Sequence, residues 1–91
     1  MNTLDLKMYT VYILFSALLN KYYVGSTQHF EIRFEEHNRG KSKFTSKGIP
    51  WIHILSIPVE NRFQNILLET KIKKRGIERY VKVNCNAWGH C

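Results

Sequence analysis

Four side chains in the first half of the chain are of kinds that handle phosphate. Tyr12 and Tyr23 lie in two successive apolar stretches, and Arg33 and His37 stand four residues apart in FEIRFEEHN. A tyrosine ring suits a core, but its hydroxyl needs a partner once buried. Arginine offers a planar fork of donors to a phosphate, and histidine moves protons near neutral pH. Between the two pairs, YYVGST passes from an apolar run through Gly25 to Ser26 and Thr27. A hydroxyl there can cap a helix whose first free N–H groups form a seat for an anion. Two phenols, a guanidinium and an imidazole around one helix start resemble a phosphodiester site more than a core. A carboxylate to hold a metal would complete it. The competing reading is structural: Arg33 pairs with a neighbouring acid, and His37 is a half-buried core histidine.

Positioning these groups requires a hairpin and a helix. YTVYILFS, Tyr9 to Ser16, is β-branched, aromatic and nearly uncharged, so it reads as a central strand covered on both faces. ALLNK turns at Asn20, and YYVGS returns as the second strand of the hairpin. Leu18 and Leu19 in that turn look exposed. The first helix should run from about Gln28 to Asn38 with Ser26 or Thr27 as its cap, ending near Gly40. Phe30 and Phe34 form its apolar stripe, Arg33 and His37 lie along the stripe's edge, and Glu31, Glu35 and Glu36 fall on other faces. WIHILSIPV is a third strand, with Pro58 near its end where a ladder donor is dispensable. A second helix follows, capped by Asn61 and stopped by Gly76 after a cationic last turn. A short element near 77–83 and a loose tail over 84–91 complete the chain. The expectation is one α+β domain spanning 1–91. It has a small three-stranded, mainly antiparallel sheet flanked by helices, in the order β-β-α-β-α, with a core at about 9–76.

The chain of 91 residues carries a net charge of +7. From Arg39 to Lys82 the only acids are Glu60, Glu69 and Glu78. A one-sided basic surface points to a polyanionic partner, nucleic acid before others. The loop RGKSKFTSKGIP, with Lys41, Lys43 and Lys47, can hold a phosphate backbone without reading bases. No run is long and apolar enough for a membrane span, and MNTLDLK has no secretory pattern. Two cysteines, Cys85 and Cys91, are no disulfide framework, so a reducing cytoplasm is the expected compartment. A zinc site from Cys85, His90 and Cys91 matches no structural zinc spacing.

Together these motifs resemble the GIY-YIG nuclease domain, in particular its small stand-alone bacterial or phage-type members. The domain is shared with homing endonucleases and with the nuclease of bacterial excision repair. The resemblance runs from about Tyr9 to Gly76. Its first motif is VYI, Val11 to Ile13, and its second is YVG, Tyr23 to Gly25. The helix pattern is met by Arg33 and His37, followed by Asn38 and Gly40, and the glutamate of the next helix falls on Glu69. Ser26 stands where many members have lysine. Without the resemblance, Glu69 reads as an exposed ion pair with Lys73 four residues on.

The resemblance implies an endonuclease that hydrolyses DNA with one divalent ion, Mg2+ or Mn2+. Its place would be in repair, recombination or mobile-element processing, on DNA that is branched or damaged. Glu69 would hold the metal and Arg33 would neutralise charge on the phosphoryl oxygens. Tyr23 would take the proton of the attacking water, Tyr12 would position it, and His37 would pass the proton on or orient a tyrosine. Ser26, Thr27, Lys41, Lys43 and Lys47 would bind nucleic acid. Tyr12, Tyr23, Arg33, His37 and Glu69 should then converge on one face of the sheet. A non-catalytic nucleic-acid-binding module, or a small basic adaptor docking through Leu18 and Leu19, is the alternative on the same fold.

Overall fold

The structure, a computed structural model, describes residues 8–88, with side chains through Asn84. Strands β1 (Tyr9–Ser16) and β2 (Lys21–Thr27) are followed by helix α1 (Phe30–Asn38) and a 3-10 turn at Ser46–Gly48. Strand β3 (Trp51–Val59) and helices α2 (Arg62–Arg75) and α3 (Ile77–Trp88) complete the order. The sheet runs β2-β1-β3 and is antiparallel throughout. This is the expected α+β fold, with β1 in the centre.

Alternation along β1 divides the interior in two. Val11 and Ile13 pack with Val24, Leu55, Ile72, Tyr80 and Val81, so α2 and α3 cover that face. Tyr12 and Leu14 turn the other way, against Trp51, Tyr23, Phe30, Phe34 and Ile49, and α1 covers them. All four of these β1 residues are buried, as a strand with two covered faces must be. The β1–β3 register shifts between Ile13 and Leu14, whose partners are Leu55 and His53. Ile54 is therefore the extra residue of a β-bulge.

The helix ends show which local signals prevailed. In α2, Asn61 Oδ1 accepts the Gln64 N–H at 2.8 Å, and Gly76 terminates the helix at φ 95°. Lys73, Lys74 and Arg75 fill its last turn. The start of α1 differs from expectation. Ser26 and Thr27 remain in β2, because their partners Val11 and Thr10 continue the ladder. The helix begins at Phe30, and Thr27 Oγ1 accepts the His29 N–H at 3.0 Å in the link before it. A continuing ladder thus overrides the capping preference of two hydroxyl residues.

The C-terminal segment also differs. In place of a short element and a loose tail from 84, α3 runs to Trp88 and docks Ile77, Tyr80 and Val81, spaced as one helix face, into the core. The Cys85 side chain, His90 and Cys91 lie outside the described residues. Among the described residues no helix is long and apolar enough to cross a membrane. In the β1–β2 turn, Asn20 takes φ 55°, and Leu18 and Leu19 are both exposed, Leu19 with its side chain leaning toward Gly48.

Candidate active site

Tyr12 projects from the central strand toward its edge neighbour. Its register partner in β2 is Gly25, and the phenol lies directly over that glycine. A Cβ on Gly25 would stand 2.7 Å from the Tyr12 hydroxyl and 3.0 Å from the Tyr23 ring. The glycine of YVG is therefore needed for space, not for a turn.

The Tyr12 hydroxyl meets His37 Nε2 at 2.9 Å, and His37 Nδ1 meets Thr45 Oγ1 at 2.7 Å. Tyr12, His37 and Thr45 are all buried. Burial pushes the phenol up to about 12; neighbouring Tyr23 and, more weakly, the Glu69 carboxylate add to the rise, while Arg33 opposes it. Burial, with Arg33 beside it, also lowers the His37 pKa, against a smaller pull from Glu36. Both groups are consequently neutral at pH 7. With the imidazole neutral, one ring nitrogen donates and the other accepts, so Tyr12, His37 and Thr45 form a continuous hydrogen-bonded chain. With both ring nitrogens engaged, none is left for Tyr23, whose ring packs edge-on against the imidazole at 5.2 Å.

Arg33 is half-buried and bonds Glu36 Oε1 at 3.0 Å. Partial desolvation works against its charge, but the Glu36 carboxylate and the two tyrosines outweigh that effect. The structure bears on the structural reading of the α1 pair: Arg33 does pair with an acid, and His37 is fully buried where a half-buried residue was expected. Glu36, expected on another face, is drawn to the arginine. Phe30 and Phe34 stack at 5.5 Å to seat the helix.

Glu69 reaches this group from elsewhere. Its helix belongs to the layer on the opposite face of the sheet from α1, so the five residues do not share one face. Its carboxylate nevertheless lies close enough to act on the Tyr12 phenol. The side chain is 22% exposed, and its contact with Lys73, itself 62% exposed, is loose at 3.8 Å. Glu69 is thus more enclosed than a surface ion-pair residue. Among the described residues no group of three or more His, Cys, Asp or Glu side chains could ligate a metal. One hard carboxylate fits magnesium, which keeps several waters and takes phosphate oxygens from its substrate.

The hollow at the α1 start is lined by Thr10, Gln28, His29, Phe30, Glu31, Ile32 and Ser56. Neither tyrosine is among them, nor are Arg33 and His37, and Glu31 makes it a poor seat for phosphate. The candidate site instead gathers around the second half of α1. Ser26 and Thr27 are half-buried strand residues, while Lys41, Lys43 and Lys47 are exposed on the loop after α1.

That loop supplies what the sequence reading missed. Thr45 is buried, and its carbonyl accepts the Trp51 indole N–H at 2.7 Å and the Gly48 N–H at 3.0 Å. Asn38 clamps β3 through both ends of its amide: Oδ1 accepts from the Trp51 N–H, and Nδ2 donates to the Trp51 carbonyl. A Ser/Thr-rich loop carries no local mark that one threonine turns inward. A Thr eight residues after a helix-edge histidine is the faint signal available.

No curated protein and no solved structure gives a significant match. The family model for the GIY-YIG catalytic domain, a domain of endonucleases that generally use a divalent metal, matches residues 8–81. With the hairpin, the tyrosine pair and the arginine helix in the matched segment, the chain belongs to the GIY-YIG family.

Proposed function

We propose that this protein is a divalent-metal-dependent DNA endonuclease acting in repair, recombination or mobile-element processing. The observation that carries the reading is the buried Tyr12–His37–Thr45 chain, whose phenol feels the Arg33 guanidinium and, more weakly, the Glu69 carboxylate. Tyr12, rather than Tyr23, takes the proton of the attacking water while its own proton passes to His37 Nε2. The phenol then never stands as a free phenolate, which at pH 7 would cost on the order of 7 kcal/mol for a group at about 12. Thr45 Oγ1 fixes the imidazole tautomer with Nε2 open to the phenol. Tyr23 walls the site and keeps the imidazole in place.

Arg33 exchanges Glu36 for the phosphoryl oxygens as charge develops on them. Glu69 holds a magnesium or manganese ion, which when bound supplies Lewis-acid stabilisation of the phosphate and of the leaving 3′ oxygen. Lys41, Lys43 and Lys47 hold the DNA backbone, with Ser26 and Thr27 at the margin.

The test is incubation of the full chain with branched and linear DNAs in magnesium, manganese or chelator, beside Glu69→Gln. Wild type should cut only with metal. The variant should lose cleavage by orders of magnitude, since metal-assisted stabilisation is worth several kcal/mol and each 1.36 kcal/mol is about tenfold. Its DNA binding should hold or tighten, because a negative charge facing phosphate has gone. Metal-independent binding with no cleavage of any substrate by wild type would favour the non-catalytic module instead.

A further inference from the structure

The most exposed large apolar side chain among the described residues is Phe44, at 85%. It sits between Lys43 and Thr45 in the basic loop, with Lys41 and Lys47 nearby in sequence. Its ring stands edge-on to Tyr23 at 6.4 Å, so it borders the candidate site. The loop beneath it is fastened: Thr45 N–H donates to the Ser42 carbonyl, Ser46 Oγ donates to the Lys43 carbonyl, and the Thr45 side chain is tied inward to His37. Because Thr45 points in, its neighbour Phe44 is held out.

An aromatic ring 85% exposed in a loop that carries three lysines has no hydrogen-bonding group, and its edge contact with Tyr23 leaves most of its surface in water. Its two faces suit another flat ring, and the surrounding charge suits a polyanion. We infer that Phe44 is a stacking platform for an unpaired DNA base next to the scissile phosphate, so the substrates are DNAs with a flap, gap or branch. In uninterrupted duplex every base face is already stacked, and the ring gains a partner only by unstacking the helix. The lysines bind either form alike through backbone charge. The preference for interrupted DNA therefore comes from Phe44, and it rests on the nuclease reading of this face.

The test uses the full chain in chelator, with a flap DNA carrying 2-aminopurine at the unpaired base and an uninterrupted duplex of equal charge. Wild type should bind the flap more tightly and quench the 2-aminopurine. Phe44→Ala should weaken flap binding about 10- to 100-fold, as loss of one stacked base does, and abolish the quench. Its duplex affinity should change by less than about twofold, because every phosphate contact remains. Phe44→Trp should retain both signals, and Phe44→Leu, apolar but without a π face, should behave like alanine. At 85% exposure none of these changes threatens the fold. Equal losses on flap and duplex, a leucine variant matching wild type, or an alanine variant unchanged on the flap would each overturn the inference. The two proposals fail separately. Quenching without metal-dependent cleavage removes the nuclease reading and leaves Phe44 as a base-stacking contact with no scissile phosphate beside it; cleavage with an indifferent Phe44→Ala removes the stacking alone.

Discussion

Gly25→Ala adds one methyl group, and its consequence follows from the geometry beneath Tyr12. Neither the strand nor the backbone objects, since Gly25 is not among the positive-φ residues. The objection is spatial. The new carbon would stand 2.7 Å from the Tyr12 hydroxyl, 2.9 Å from its Cζ and 3.0 Å from the Tyr23 ring. Comfortable separations between such atoms are about 3.5 Å, so the phenol must retreat by roughly 0.5 to 1 Å. It has little freedom to do so, being buried and bonded to His37. Overpacking of this kind costs about 1–3 kcal/mol, a Tm fall of about 4 to 24 °C for a domain this small. A displacement near 1 Å at a reacting group costs about 100-fold in rate. Single-turnover cleavage should fall by about that factor while the DNA dissociation constant, read by anisotropy, stays within about twofold. Adding Tyr12→Phe removes the nearest clashing atom. The double variant should therefore regain part of the lost Tm while remaining inactive. Cleavage by Gly25→Ala at the wild-type rate, with the fold intact, would refute the claim that the Tyr12 hydroxyl must sit over this glycine.

Other outcomes follow from the same geometry. Replacing Lys41, Lys43 and Lys47 together should weaken DNA binding and flatten its salt dependence, by roughly one unit of slope for each phosphate no longer neutralised; an unchanged slope in a salt titration would clear the loop of that role. Glu36→Gln should release Arg33 from its 3.0 Å partner and tighten binding of short DNA at low salt; unchanged affinity by anisotropy would mean that Arg33 does not face the phosphate. His37 has a lowered pKa in the fold, so the unfolded chain takes up its proton first. The stability it contributes is present above about pH 6.5 and is lost as the pH falls. Thermal melts from about pH 7.5 to 5 should show this loss, and His37→Gln should reduce it; identical pH slopes would contradict the lowered pKa.

The sequence showed most clearly those features that one element states by itself. An uncharged aromatic run marked β1 as central, Asn61 and Gly76 bounded α2, and the stripe-edge spacing drew attention to Arg33 and His37. Features settled between elements were hidden. Ser26 and Thr27 have the chemistry of caps, but the partner strand decides that they stay in the ladder. The spacing of Ile77, Tyr80 and Val81 supports the element near 77–83, but no residue after it marks how far the helix continues toward Trp88. Thr45 and Asn38 work by reaching another segment, and no local pattern announces a partner. Glu69 entered only through the family resemblance, because helical periodicity treats it as one more surface acid.

Glu69 and Tyr12 belong to different layers of the fold, and this separation bears on how the chain is made. In chain order, the hairpin, the arginine helix and the lysine loop all precede β3, and the glutamate follows it. A chain that ends at β3 carries Arg33 and the three loop lysines of the proposed site and lacks the carboxylate proposed to hold the metal. Such a fragment also lacks Ile72, Tyr80 and Val81, which close the core over Val11 and Ile13. On the proposed roles, the site is therefore completed by the same element that begins to close this half of the core, α2 behind the sheet.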